Sequence, residues 1–181
     1  DAATNDYFSI SVSVSGDRVA VGAWGNDDGG TDSGSAYVFD WDGTNWIEQP
    51  KLTASDAAGD DRFGNSVSLS GDRVVVGARG NDDDGTDSGS AYVYEWDGAN
   101  WIEQPKLTAS DAAGDDRFGS SVSVSSDRVA VGALGDDDGG TDSGSIYVYE
   151  WDGSGWVETK LTALDAAAGD SFGNFVSVSG D

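Results

Sequence analysis

The sequence contains no cysteine, no histidine and no methionine, and each absence removes a class of function. Without cysteine there can be no disulfide, thiolate metal site or cysteine nucleophile. Without histidine the chain lacks the most common general base and the most common zinc ligand. Because the chain begins at Asp1 and has no methionine, we expect it to be a processed or excised piece from which any signal peptide has gone.

Basic residues are also scarce: nine lysines and arginines face 34 acidic residues, which leaves a net charge of −25. This charge argues against nucleic acid and anionic membrane surfaces as partners and favours solvated cations. No apolar run approaches the ~20 residues of a membrane span, so we expect no membrane insertion. Valine and aromatic residues are nevertheless frequent, which indicates a folded chain and not a disordered acidic tail.

The chain repeats itself. The triplet "DAA" begins at Asp1, Asp56, Asp111 and Asp165, and "WDG" recurs in phase with it. This spacing predicts three complete repeats, residues 1–55, 56–110 and 111–164, followed by a partial fourth repeat, 165–181, that supplies only a first strand. No linker separates the copies, so we expect all of them to form one propeller-type domain.

Each repeat reads as four short strands, and the second copy shows them most clearly. The expected strands are Phe63–Ser70, Arg73–Ala78, Ser90–Trp96 and Trp101–Ala109. The second is a continuous apolar run, typical of a strand buried on both faces. Pro105 cannot donate to a sheet ladder, which makes the fourth strand an outer edge.

Turn residues support the same strands. An Asp-Gly dipeptide lies between Trp96 and Trp101, so we expect a hairpin in which the two rings form a cross-strand pair. Near the start of three copies a glycine follows phenylalanine, and we expect it to allow blades to pack closely; these residues are Gly64, Gly119 and Gly173.

Four antiparallel strands in each unit of about 50 residues, repeated in tandem, predict the blades of an all-β propeller. The segments "FGNSVSLSGDRVVVGA" and "FGSSVSVSSDRVAVGA" resemble FG-GAP repeats, the blades of integrin α-subunit propellers and of many bacterial and archaeal surface proteins. The resemblance covers nearly the whole chain, although Phe8-Ser9 replaces Phe-Gly in the first copy. It implies a non-enzymatic structural or adhesive module that is extracellular or at the cell surface.

The resemblance does not carry calcium sites over by position. In integrins the calcium loop joins the first two strands of a blade, where this chain has only "SGD" or "SSD". The chain looks more like a variant subclass with its acidic loop between strands two and three.

Those acidic loops read "GNDDGGTDSG", "GNDDDGTDSG" and "GDDDGGTDSG". Alternating strand direction puts them on the same face as the "DAAGDD" linkers between blades. Calcium takes six to eight oxygen ligands, so loop and linker together could supply a site. The alternative is a solvated acidic surface, as in halophilic proteins, without specific metal sites. The candidate ligands are Asp27, Asp28, Asp32, Asp82, Asp83, Asp84, Asp87, Asp136, Asp137, Asp138 and Asp142.

The sequence also bears on two other functions. An enzyme is not expected, because the acids recur in every blade whereas catalysis needs one asymmetric constellation. The tryptophan pairs 41/46, 96/101 and 151/156 could stack on sugars, which keeps a carbohydrate-binding propeller lectin open as an alternative to hairpin packing. Trp24 and Arg79 occupy the same variable position of their copies and are candidates for contact with a partner, either a cell-surface protein or a glycan.

The number of repeats predicts association. Propellers close with about four to eight blades, so three blades and a strand leave a blade face open at each end. We expect either neighbouring blades of a larger propeller or self-association, with 165–181 able to receive strands from another molecule.

Overall fold

The computed structural model describes residues 4–180, so Asp1, the rest of the first "DAA" triplet and Asp181 lie outside it. Within this range the chain is all β, with three four-stranded antiparallel sheets that follow one another along the sequence and do not close into a ring.

Each sheet is one blade, and its strands lie in chain order. The first blade contains β1 (Val12–Ser15), β2 (Arg18–Ala23), β3 (Ser35–Trp41) and β4 (Trp46–Glu48). The second contains β5 (Phe63–Ser70), β6 (Arg73–Ala78), β7 (Ser90–Trp96) and β8 (Trp101–Glu103), and the third contains β9 (Phe118–Ser125), β10 (Arg128–Ala133), β11 (Ser145–Trp151) and β12 (Trp156–Leu161).

The outermost strand is shorter than the sequence predicted. In the second blade it ends at Glu103, where an extension to Ala109 was expected, and only an isolated bridge from Leu107 to Ala91 continues the pairing. Pro105 has no N–H to donate, so the ladder stops before it. The third blade has no proline at this place, and its outermost strand continues to Leu161.

The partial fourth repeat does not form a regular strand within its described part, residues 165–180. One bridge joins Phe172 to Gly144, and the N–H groups of Val176 and Val178 donate to serine hydroxyls of β9. The segment therefore follows the path of an innermost strand but has no second strand to pair with. This corrects the expectation of a complete first strand.

Close approach between blades depends on glycine. A Cβ on Gly119, whose φ is +84°, would lie 2.3 Å from the carbonyl oxygen of Ser90 in the preceding blade. Gly64 and Gly173 make the same approach to Ser35 and Ser145. The prediction that these glycines allow close packing is confirmed.

The two large cores lie between blades, whereas a small cluster of Val21, Ala23 and Tyr37 lies within the first blade. One cluster joins Val38 of the first blade to Val67 and Leu69 of the second, and an equivalent cluster joins the second blade to the third. Innermost strands are also linked directly, since the N–H of Val124 donates to Ser68 Oγ at 3.0 Å. The innermost strand of a blade thus needs a preceding blade to bury its apolar side chains.

Candidate functional site on the acidic face

Each acidic loop is closed by one of its own aspartates. In the second blade, Asp82 Oδ1 accepts a hydrogen bond of 2.7 Å from the N–H of Asp87, which has a positive φ of 51°. Asp27 and Asp137 close the other two loops in the same way, at 2.8 and 2.7 Å. Three of the candidate metal ligands therefore already serve loop geometry, as aspartate commonly does in turns.

Loop and linker meet on one face, as the alternation of strand direction predicted. The N–H of Asp60 in a linker donates to the carbonyl of Thr31 in the preceding loop at 2.7 Å, and Asp115 and Thr86 repeat the contact one blade later. The linker aspartates are thereby brought beside the loop aspartates.

A lysine lies at the centre of each place where an acidic loop meets a linker, which we call a junction. In the third blade, Lys160 Nζ donates to Asp111 at 2.7 Å, to Asp136 at 2.8 Å and to Asp138 at 2.6 Å. Oxygens of these three carboxylates lie within 4.8 Å of one another, close enough to hold a metal ion. The register of the sheet sets this position, since Lys160 on β12 is the direct partner of Tyr147 on β11.

The first and second blades carry the equivalent lysines, Lys51 and Lys106, beside their own acidic loops. Lys106 Nζ binds Asp56 at 2.6 Å and also binds Asp83, while Lys51 binds Asp28. Where the third blade has Asp136, these blades have an asparagine, Asn81 or Asn26, whose side-chain oxygen accepts from a strand serine. At this position the third blade therefore carries a charge that the other two blades lack.

The charges of the third junction stabilise one another. Burial disfavours the charged form of Lys160, but its hydrogen bonds to Asp111, Asp136 and Asp138 outweigh burial and raise its pKa. Burial alone would raise the pKa of the Asp111 and Asp136 carboxyls, yet Lys160 lowers both. Burial raises the pKa of Tyr147, whose protonated hydroxyl donates to Asp111 at 2.8 Å. At neutral pH the Lys160 ammonium group therefore lies beside the ionised carboxylates of Asp111 and Asp136.

The structure brings only some of the predicted ligands together. Among residues 4–180, Asp136 and Asp138 join Asp111 in the one group of three acids spaced for a metal ion, and Lys160 binds all three. Asp28 and Asp83 face lysines, and Asp32, Asp84, Asp87 and Asp142 belong to no such group. Sequence reasoning missed the lysines. Their signal is the "KLTA" motif, which recurs in phase with the acidic loops.

Comparison with known families agrees with this architecture. The FG-GAP repeat family model matches residues 1–39, 46–94, 101–149 and 156–181, which is most of the chain. The protein belongs to the FG-GAP repeat family. Such repeats are typical of β-propeller-like adhesion modules. No curated protein matched the chain. Across residues 4–180 there is no helix long and apolar enough to cross a membrane.

One linker aspartate is buried beside the lysine in each of the second and third blades, namely Asp61 and Asp116. The Asp61 and Asp116 carboxylates accept hydrogen bonds of 2.7 Å from the N–H groups of Ala58 and Ala113 and shape the linkers. Burial raises the pKa of both carboxyls, and the hydrogen bonds offset only part of that effect.

The opposite face of the FG-GAP blades carries the tryptophan pairs. Trp96 and Trp101 are cross-strand partners with ring centroids 5.5 Å apart, so the predicted hairpin pair is confirmed. Arg18 of the preceding blade lies 5.1 Å from the centroid of the Trp96 ring and bonds Asp72 at 2.5 Å. Arginine thus joins adjacent blades over a ring face that a sugar would need.

Proposed function

We propose that the protein is a non-enzymatic structural and adhesive module of an extracellular or cell-surface protein, built from FG-GAP blades whose open faces are covered by further blades. The cover is either more of a longer propeller or a second copy of the chain. Family membership supports the adhesive role, and the exposed face of the first blade supports the need for cover.

That exposed face is the observation that carries the proposal. Val12 and Val14 of β1 are 52% and 65% exposed, whereas Val122 and Val124 of β9 are 7% and 6% exposed. The difference arises because the second blade covers β9, whereas no blade within residues 4–180 covers β1. Since the interblade cores of this chain are made by its own repeats, another repeat is the partner whose surface is complementary to the open face of the first blade.

Mass in solution tests the proposal. We expect the chain to associate as its concentration rises, or to remain monomeric and bind an apolar dye at the first blade. Replacing Val12 and Val14 with serine should reduce either behaviour. Val157→Ser, which changes an exposed valine on the outermost strand of the third blade, should leave it unchanged. A monomer that binds no dye, whether intact or without residues 165–181, would contradict the proposal.

Calcium binding by the acidic loops stays a prediction. The junctions do not fit the ion while lysine is in place, because the carboxylates that could surround calcium already surround an ammonium group. Calcium would have to displace the lysine and recruit further oxygens. If it does, calcium will raise the melting temperature more than magnesium or sodium at equal ionic strength. The triple variant Asp82→Asn, Asp83→Asn and Asp84→Asn will remove most of that difference.

Carbohydrate binding is the second candidate, supported by one pair of rings. In the first blade Trp41 and Trp46 are 38% and 48% exposed, with centroids 5.5 Å apart. A glycan array should show binding that Trp46→Ala abolishes and that Trp101→Ala, at a pair covered by arginine, leaves intact.

A further inference from the structure

Three of the nine basic residues of this acidic chain converge on one small cavity. Arg62, Arg79 and Arg117 line it together with Asp87, and its volume is about 220 Å³. Drug-sized ligands occupy pockets of roughly 300–1,000 Å³, so this cavity suits a smaller ligand.

The fold brings the three arginines to the same end of two adjacent blades. Arg62 and Arg117 directly precede the innermost strands β5 and β9, and Arg79 directly follows β6. Because Phe63 pairs with Ala78 across β5 and β6, Arg62 and Arg79 are neighbours.

Hydrogen bonds within the protein fix the backbones of Arg79 and Arg117, so the cavity is formed without a ligand. The N–H of Arg117 donates to the Asp87 carbonyl at 2.9 Å, and the N–H of Arg79 donates to Asn65 Oδ1 at 3.1 Å. Asn65 in turn donates to the carbonyl of Gly119 in the third blade. The cavity is therefore fixed by contacts between blades.

The guanidinium groups lack the partners that buried charge needs. The Nε atoms of Arg62 and Arg79 are buried without any hydrogen-bond acceptor. Arg62 lies 5.7 Å from the centroid of the Trp24 ring, which offers a π face and no oxygen. Burial and the charges of Arg62 and Arg117 lower the pKa of Arg79. Buried donors are almost always paired in folded proteins, so these two call for an acceptor that the protein itself does not supply, either solvent or a ligand.

The acids present do not neutralise the cluster. Among residues 4–180, Asp87 is the one carboxylate that lines the cavity, and Asp115 approaches Arg117 only to 4.0 Å, with the two side chains 73% and 42% exposed. A pair at that distance and exposure contributes little. Positive charge therefore remains in the cavity.

We propose that this three-arginine cavity binds one tetrahedral oxyanion, a sulfate or phosphate that is either free or an ester on a larger ligand. Guanidinium forks match the oxygens of such ions, and an oxyanion would accept the two unpaired Nε–H groups. The assignment goes beyond the structural role proposed above, because it adds a ligand-binding site where β5 and β9 begin and β6 ends.

The chain itself offers the variants that test the site. In the later repeats, Leu134 and Ser171 occupy the positions of Arg79 and Arg117. Arg79→Leu and Arg117→Ser therefore introduce residues that other copies of the repeat already carry at these positions. Arg128→Leu is the matched control, because it removes the same charge at the opposite end of a blade, where Arg128 pairs with Glu150.

We expect inorganic sulfate and phosphate to raise the melting temperature of the whole chain above that in sodium chloride of equal ionic strength. Arg79→Leu should weaken sulfate binding, measured by calorimetry, by about tenfold or more, since it removes a charged donor. Arg117→Ser should weaken it as well, and Arg128→Leu should not. In chloride, Arg79→Leu should be as stable as the parent or more so, because it relieves repulsion among three cations.

A sulfated and a phosphorylated monosaccharide identify the source of the anion. If they bind as the inorganic ions do, the site takes an ester on a larger ligand, and if only the inorganic ions bind, it takes the free ion. Either outcome supports the cavity. Equal effects of sulfate and chloride, or a sulfate response that survives Arg79→Leu, would overturn the proposal, and so would a loss of stability in Arg79→Leu without sulfate binding in the parent.

Discussion

At the scale of single residues, one lysine per blade sets the charge balance of the acidic face. The loop aspartates were recognisable in the sequence because they recur in dense runs. Lys160 was not, because it lies 22 residues from Asp138 and 49 from Asp111 and reaches them only through the pairing of β11 with β12. A sequence shows which charges repeat, whereas strand register decides which of them meet.

Removing Lys160 should leave the three carboxylates around it to repel one another. Lys160→Met should lower the free energy of unfolding by about 2 kcal/mol, since three acids lose a charged hydrogen-bond partner. Calcium should then stabilise the variant more than the parent, because it can take the place of the ammonium group. Thermal unfolding with and without calcium measures both effects, with Arg128→Met, at an exposed ion pair, as the control. An equal calcium response in the parent and Lys160→Met would show that lysine does not stand in for a cation.

The buried carboxyl of Asp116 should respond to pH in the opposite sense to Asp111 and Asp136. Because its pKa is raised in the folded protein, the folded state binds a proton more readily than the unfolded state, and stability falls as pH rises through that range. Asp116→Asn should therefore raise the melting temperature at neutral pH, with a gain that shrinks towards about pH 4, near the ordinary aspartate pKa.

Asp115→Asn removes the same charge from an exposed neighbour and is the control for overall repulsion. A gain in Asp116→Asn that matches the control at every pH would rule out burial as the cause.

At the scale of strands, apolar runs and turn residues were enough to predict the central elements. Arg73–Ala78 and Ser90–Trp96 lie where the pattern placed them, because a strand covered on both faces has a nearly continuous apolar sequence. The outermost strand was overestimated, since its length depends on how far pairing can continue past Pro105. The alternating serines of the innermost strands gave no sign that their hydroxyls accept hydrogen bonds from the next blade.

The glycine near the start of β5 and of β9 should be among the least replaceable residues. Gly119→Ala should cost about 3 kcal/mol of stability, because its Cβ would lie 2.3 Å from a backbone oxygen that cannot move alone. Gly71→Ala, at a turn with a φ of +56° and no atom within 4 Å, should cost only about 1 kcal/mol. Denaturant unfolding of both variants measures the difference, and similar losses would mean that backbone strain, not contact between blades, explains the glycine.

At the scale of the whole molecule, the repeat count predicted blades and open ends, and the structure shows what those ends lack. The two large cores form where two blades meet, so Val67 and Leu69 are buried while Val12 and Val14 are not. The sequence could not distinguish them, because all four lie in the same alternating pattern. Burial here depends on the neighbour and not on the strand itself.

The central claim is that the first blade is completed by another blade of the same kind. The most direct test fuses one further copy of residues 56–110 before the chain and follows amide exchange along β1. The claim predicts that the backbone amides of Val12 and Val14 become protected to the level of Val67 and Leu69 in the second blade, and that the melting temperature rises. Unchanged exchange at Val12 and Val14 in the fusion, with no gain in melting temperature, would contradict it.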